Sequence, residues 1–103
     1  MYESPSDLKR VWGLTRHAAL HAACLLAAHP GLVPTSGRRT AQRNRAVGGV
    51  PGSLHLDGRA VDFGGSREEI RAALSTARAQ RVTHGCTGPA EALDEGDHLH
   101  VAW

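Results

Sequence analysis

The stretch Ser53–Asp62, with the sequence SLHLDGRAVD, decides the fold of this chain. It places His55 and Asp62 on either side of Gly58, and glycine lets the backbone turn sharply. After the glycine, the residue pattern predicts a short strand with Asp62 on one face and Val61 on the other. We therefore expect Val61 to anchor the strand in a core while Asp62 meets His55 in a cleft.

The segment His98–Trp103 supplies a second strand pattern. Its two histidines, His98 and His100, alternate with apolar residues and should share one face. If this strand pairs beside the first, then His55, Asp62 and His100 converge. Two imidazoles and one carboxylate are ligands that zinc accepts, and a catalytic zinc site has three protein ligands and an open position.

Further motif residues surround these two strands. They are Thr35, Ser36, Gly37, Arg38, Arg39, Asn44, Val47, Gly48, Gly49, Val50, Pro51, Ser53, Gly58 and Ala60 in the first block, and Asp97 and Val101 in the second. Together, in this order, the two blocks resemble the D-alanyl-D-alanine carboxypeptidase family of zinc peptidases. Members of that family act on bacterial cell-wall peptides, and the resemblance covers residues 35–62 and 97–101.

The resemblance implies a Zn²⁺ cofactor bound by His55, Asp62 and His100. It also implies two catalytic residues. Asp97 would be the general base that takes a proton from the attacking water. Arg39 would face the cleft and offer positive charge to the substrate oxygen, because its guanidinium is a planar fork of donors.

Three more residues are candidates for substrate binding. His98 shares the face of the site but is not expected to bind the metal, because in the resembling enzymes the second histidine of the pair does so. Arg38 replaces a residue that is usually aromatic in the family, so either Arg38 or Arg39 could point inward. Ser53 could orient a ligand side chain through a hydrogen bond.

The predicted fold is α+β: a small, mainly antiparallel sheet with two main helices on one face and the zinc cleft on the other, like the DD-peptidase and hedgehog folds. Three strands come from the pattern, and a fourth is expected. The elements predicted are a helix from Ser4 to about His29, a strand at Leu32–Thr35, a short helix at Thr40–Ala46, a helix from Ser66 to about Ala79, a strand at Arg81–His84 and a helical turn at Ala90–Leu93.

Composition indicates a single domain, residues 1–103, and we expect a monomer. The chain has 103 residues, 41% of them hydrophobic and 21% charged, with a net charge of +2. No interleaving of arginine with aromatic residues suggests nucleic-acid binding, and no apolar run is long enough for a membrane span. The N-terminus lacks a secretory signal, so we expect synthesis in the cytoplasm and action at the bacterial cell wall, with phage-type release as one route.

Cysteine and histidine elsewhere form a rival metal site. His17, His21 and Cys24 lie at helical spacing, and His84 is two residues from Cys86. This would suit a redox or structural-zinc protein, although its cysteine spacing matches no zinc motif. We expect two free thiols, as is usual in a cytosolic product, but spacing alone does not decide whether they pair.

The sequence thus predicts a zinc metallopeptidase that hydrolyses peptidoglycan stem peptides. It does not distinguish a D-alanyl-D-alanine carboxypeptidase from an endopeptidase of the endolysin type. The alternative is a non-catalytic zinc-containing module that keeps the same fold and binds the cell wall. The presence of all three predicted ligands (His55, Asp62 and His100) together with the predicted base Asp97 favours the enzyme. A module that had lost its catalytic activity would not need all four residues.

Overall fold

A computed structural model of the chain describes residues 5–49, 52–79 and 89–103. The fold is α+β, as predicted. The helices are α1 (Pro5–Trp12), α2 (Arg16–Ala28), α3 (Ala41–Ala46) and α4 (Arg67–Arg78), with a one-turn 3-10 helix at Leu54–Asp57. The strands are β1 (Val33–Ser36), β2 (Ala60–Gly64), β3 (Glu91–Asp94) and β4 (Leu99–Ala102).

The four strands form one antiparallel sheet in the order β1-β2-β4-β3. The two strands with the predicted ligands, β2 and β4, are therefore neighbours in the middle of the sheet. Their register places Asp62 opposite His100, so both side chains point to the same face. Leu93 of β3 lies opposite His100 on its other side.

The opposite face of the sheet carries the core. Val61 and Phe63 of β2 are fully buried, and so are their counterparts on β4. These residues belong to one buried cluster with alanine and leucine side chains of α2 and with Ile70 of α4. The alternation along the strands thus separates an apolar face, which packs on helices, from a polar face that is left for the site.

The N-terminal helix differs from the prediction, because it is two helices and not one. Gly13 has a φ of +67°, in the left-handed region that only glycine adopts readily. This ends α1 at Trp12, and Thr15 then caps α2 by accepting a hydrogen bond from Ala18 N at 3.2 Å. Leu14, between the two helices, is buried.

The predicted helical turn at Ala90–Leu93 is also wrong, since Glu91–Asp94 forms the edge strand β3. Strand β3 pairs along its whole length with β4. Arg67 at the start of α4 fixes its end by a two-point ion pair with Asp94, at 2.8 and 2.9 Å. The fourth strand was predicted without assigned residues, and β3 is a strand that the sequence did not place. The strand predicted at Arg81–His84 lies outside the described residues.

Other local predictions are confirmed. Thr40 caps α3, and Ser66 and Glu69 form the capping box of α4.

Cys24 is disulfide-bonded, so the expectation of a free thiol is wrong there, and Cys86 lies outside the described residues. Among the helices described, none has the length and apolarity needed to cross a membrane.

Candidate metal centre

His55 reaches the site from the 3-10 helix and not from an irregular loop. Ser53 caps this helix, because its Oγ accepts a hydrogen bond from His55 N at 3.2 Å. Gly58 ends the helix in the left-handed conformation, at a φ of +72°. The Ser53 hydroxyl therefore fixes the backbone of His55, which is a different contact from the one predicted with a ligand side chain.

The three predicted metal ligands converge on the polar face of the sheet. Asp62 Oδ1 lies 3.1 Å from His55 Nε2 and 3.2 Å from His100 Nδ1. The two ring nitrogens are 3.3 Å apart. All three residues are buried, so these atoms form a small triangle shielded from bulk water.

The triangle has the dimensions of one face of a zinc coordination tetrahedron. Zinc bonds of 2.0–2.1 Å to nitrogen and oxygen give tetrahedral edges of about 3.3–3.4 Å. The observed edges, from 3.1 to 3.3 Å, fit that value closely. The residues present therefore suit a zinc ion with three protein ligands and one open position.

The outer nitrogen of each histidine already has a partner. His55 Nδ1 donates to the carbonyl oxygen of Gly37 at 2.8 Å, and His100 Nε2 donates to Glu91 Oε1 at 2.9 Å. When the rings are neutral and carry their protons on these outer nitrogens, their lone pairs face Asp62. Three buried ligand atoms that face one another in this way suit a cation between them, which is the usual arrangement of metal-binding histidines.

The charges agree with this arrangement. Burial on its own raises the pKa of Asp62, but hydrogen bonds from His100 and His55 outweigh it and hold that pKa well below the usual range. The hydrogen bond to Asp62 raises the pKa of His100 against the effect of burial, and Glu91 adds to this. Without a metal, these hydrogen bonds thus favour a proton on His100 at the position that a cation would occupy.

Glu91 is not among the site residues predicted from the sequence. It lies nine residues before His100, and only the pairing of β3 with β4 brings the two together. Its position on an edge strand leaves its side chain 47% exposed. The sequence carries no local signal for this contact, because the strand itself has no clear alternation.

We expect Glu91→Gln to weaken zinc binding by roughly 10- to 100-fold, the range typical of groups that orient a metal ligand. The amide still accepts a hydrogen bond from His100 but lacks the charge that makes the ring more basic. Competition with a chromogenic chelator measures the affinity. Glu68→Gln, an exposed acid on α4, is the matched control and should bind zinc normally. Equal affinity in both variants would remove Glu91 from the centre.

Arg39 faces the centre through the second oxygen of Asp62. Its Nη2 donates to Asp62 Oδ2 at 2.9 Å, and its other nitrogens donate to Ser36 Oγ at 3.3 Å and Asn44 Oδ1 at 3.4 Å. Only 15% of its side chain is exposed. Arg38, the neighbouring candidate, is exposed and packs beside Gly13. The structure therefore turns Arg39 toward the metal centre and Arg38 away from it.

The contact with Asp62 links Arg39 to zinc binding as well as to catalysis. Arg39→Gln should lower peptidase turnover and also weaken zinc binding by roughly 10-fold or more, because Asp62 loses the donor that fixes it. Arg38→Gln, one residue away, should leave the zinc affinity unchanged. Chelator competition and initial rates measure the two effects separately. A variant with full zinc affinity but slow turnover would mean that Arg39 acts on the substrate alone.

His98 lies at the edge of the same cleft. Its Nε2 is 3.9 Å from Asp62 Oδ2 and 3.3 Å from Glu95 Oε1, and its Nδ1 contacts the Asp97 carboxylate. Burial lowers the pKa of His98, but the hydrogen bond to Asp97 and the surrounding carboxylates outweigh it, so the net pKa is raised. The carboxylates around His98 thus favour its protonated form beside the metal triangle.

The predicted general base, Asp97, points to solvent. Its side chain is 89% exposed, and its contact in the structure is with His98. Glu95, in contrast, belongs to a cluster with Asp62 and His98 in which the candidate ligand atoms lie within 4.8 Å of one another. Two carboxylates near the cleft are therefore candidates for the general base: Asp97, which contacts Nδ1 of His98, and Glu95, which contacts Nε2.

The rival site receives no support from the described residues. His17 and His21 contact each other edge to face, with ring centroids 4.3 Å apart, and Cys24 is disulfide-bonded. None of the three belongs to a described cluster with metal-binding geometry. His84 and Cys86 lie outside the described residues.

The site and the sheet together define a class of protein. Two imidazoles and a carboxylate with an open fourth position, in a cleft over an antiparallel sheet, are the features of a hydrolytic metal centre. The chain belongs to the Peptidase M15 family, whose model matches residues 15–102. This is a family of zinc peptidases that includes D-alanyl-D-alanine carboxypeptidases, which confirms the resemblance noted in the sequence. Searches of curated proteins and of solved structures gave no match.

Proposed function

We propose that this chain is a zinc metallopeptidase that hydrolyses peptide bonds in peptidoglycan stem peptides. One observation carries the proposal: three buried atoms of metal-ligand type form a triangle with edges of 3.1–3.3 Å, and both histidines are held from outside. The size of this triangle suits a zinc ion. Membership of the Peptidase M15 family supports the reaction type.

The residues divide the chemistry between them. When bound, zinc polarises the scissile carbonyl and lowers the pKa of a water molecule toward neutrality. Asp97 accepts the proton of the attacking water and returns it to the leaving amine. Arg39 and His98 lie beside Asp62 and place positive charge where the carbonyl oxygen becomes negative. His98 contacts the substrate and does not bind the metal.

The place of action that we propose is the bacterial cell wall, reached after synthesis in the cytoplasm. The disulfide at Cys24 supports an oxidising environment, because thiols stay reduced in most cytosols. Both cleavage of the terminal D-alanyl-D-alanine bond and cleavage nearer the glycan strand are compatible with this chemistry.

Digestion of purified peptidoglycan tests the function. We expect the zinc-loaded protein to release fragments whose masses identify the bond that is cut, and a chelator should stop the reaction. Addition of zinc should restore it. A protein that binds zinc and sedimented cell walls but releases no fragment would instead be the non-catalytic module. Failure to bind either would contradict both functions.

A further inference from the structure

A second group of metal-ligating side chains lies beside the first centre and shares Asp62 with it. The candidate ligand atoms of Asp62, Glu95 and His98 all lie within 4.8 Å of one another. His98 Nε2 is 3.3 Å from Glu95 Oε1 and 3.9 Å from Asp62 Oδ2, whereas Asp62 Oδ1 faces His55 and His100. The two oxygens of Asp62 are thus placed to serve two cations, and paired metal ions in enzymes lie about 3.5–4 Å apart.

His98 is held from outside in the same way as the histidines of the first centre. Its Nδ1 is hydrogen-bonded to the Asp97 carboxylate. When the ring is neutral and carries its proton on Nδ1, the lone pair of Nε2 faces Glu95 and Asp62. A carboxylate on the outer nitrogen is the usual partner of a metal-binding histidine. One imidazole and two carboxylates are also ligands that zinc accepts.

The turn that carries Glu95 and His98 is fixed by the fold. Glu95 N donates to His98 O at 2.9 Å across the turn. Gly96 N donates to Asp94 Oδ1 at 3.0 Å, and Gly96 O accepts a hydrogen bond from Arg67 Nη1 of α4 at 2.7 Å. The two side chains therefore start from a defined backbone, and an ion that binds them does not have to order a loop first.

Three features make this second group a weaker site than the first. The distance of 3.9 Å between His98 and Asp62 is longer than the tetrahedral edge of about 3.3–3.4 Å. Glu95 is exposed and His98 is half-buried, whereas the first three ligands are buried. Arg39 Nη2 already donates to Asp62 Oδ2 at 2.9 Å. The first centre should therefore fill at zinc concentrations that leave the second group empty.

We propose that Glu95, His98 and the outer oxygen of Asp62 form a second Zn²⁺ site, and that an ion bound there inhibits hydrolysis. The site stands on its own geometry, while the inhibition rests on the proposed function. An ion on Nε2 keeps the proton of His98 on Nδ1, where it holds Asp97 outside the cleft. The same ion takes Nε2 away from the substrate. Excess zinc thus removes both the base and a positive group that the reaction needs.

Calorimetric titration of the metal-free protein with Zn²⁺ tests the site. We expect two binding events, the second roughly 100-fold or more weaker than the first, because the two cations repel each other at this distance. Glu95→Gln and His98→Gln should each remove the second event and keep the first. Glu68→Gln, exposed on α4, is the matched control and should keep both.

Three results would overturn the second site. The first is a single binding event in the unaltered protein. The second is a weak event that survives both Glu95→Gln and His98→Gln. The third is a weak event that disappears in a His17→Ala/His21→Ala variant, since that would place the second ion at the rival site.

Hydrolysis of stem peptides at increasing zinc concentration tests the inhibition. The rate should be highest with one zinc per chain and fall by roughly 100-fold as the second site fills, the lower end of the effect of losing a general base. Glu95→Gln should show no such fall, whatever its own rate with one zinc. A rate that stays constant or rises as the second ion binds would overturn the inhibitory role. Two binding events without hydrolysis at any zinc concentration would confirm the second site and contradict the proposed function, and the inhibition with it.

Discussion

Asp62→Ala should abolish tight zinc binding and reduce peptide hydrolysis to background. Asp62 is the residue on which the centre depends, because its Oδ1 lies 3.1 and 3.2 Å from the two histidines and its Oδ2 holds Arg39. Loss of a direct ligand should cost more than the 10- to 100-fold typical of an outer partner. Asp62→Asn keeps the shape of the side chain and separates loss of charge from loss of packing. Metal analysis after gel filtration measures the zinc content of each variant.

A matched control lies five residues away. Asp57 is exposed on the 3-10 helix, and Asp57→Ala should retain about one zinc per chain. Zinc that stays bound in Asp62→Ala but is lost in a His17→Ala/His21→Ala variant would place the metal at the rival site. Zinc binding should also weaken as the pH falls, because the metal competes with the proton that the raised pKa of His100 retains.

Asp97→Asn should fold, bind zinc normally and lose roughly 100- to 10,000-fold in turnover, which is the range for removal of a general base. The variant keeps the shape and a hydrogen-bond acceptor for His98 but has no basic carboxylate. Because the side chain of Asp97 is 89% exposed, no packing prevents its rotation into the cleft when a substrate displaces water. The hydrogen bond from His98 lowers the pKa of Asp97, so the carboxylate is ionised at neutral pH.

Glu95→Gln is the matched control for Asp97→Asn, because both carboxylates contact His98. Glu95 contacts the other nitrogen of His98, at 3.3 Å, and its side chain is 45% exposed. We expect this variant to lose less than tenfold in turnover, since the resemblance to the family assigns the base to the position of Asp97. Single-turnover rates at saturating zinc measure both variants. A nearly inactive Glu95→Gln with a fast Asp97→Asn would transfer the general base to Glu95.

The convergence of His55, Asp62 and His100 was predictable from local signals, whereas the choice of His100 over His98 as a metal ligand rests on the family resemblance. The alternation in residues 60–63 and 98–101 places each side chain on one face, whatever the rest of the chain does. A core face with Val61 and a polar face with Asp62 follow directly. Pairing of the two strands was an assumption at that point, and the register of Asp62 with His100 agrees with it.

The break in the first helix was not predictable in the same way. A single glycine is tolerated within a helical pattern, and the apolar spacing continues on both sides of Gly13. What ends α1 there is a distant contact: Gly58 lies so close that a Cβ on it would be 2.5 Å from Gly13 O. Gly58 O also accepts a hydrogen bond from Thr15 N at 2.9 Å. Tertiary packing of the turn at Gly58 against the end of α1 therefore overrides the local preference for a continuous helix.

Strand β3 is a second element that the local sequence does not predict. Its sequence, Glu-Ala-Leu-Asp, has high helix propensity and only two apolar residues, of which Leu93 is 48% exposed. It is a strand because β4 offers an unpaired edge and because Arg67 holds Asp94. Since the role of Glu91 depends on that pairing, the sequence alone could not assign it.

The metal ligands are far apart in the chain, and this links the centre to the stability of the fold. His55 and His100 belong to the 3-10 helix and to β4 and are 45 positions apart in the sequence, so a bound cation joins segments that the unfolded chain leaves separate. An ion that binds only the folded state stabilises it by about 2.7 kcal/mol at 100 times its dissociation constant. For a small domain this is a large part of a total of about 5–15 kcal/mol. The proposed metal ligands therefore also determine how long the protein resists other proteases where zinc is scarce.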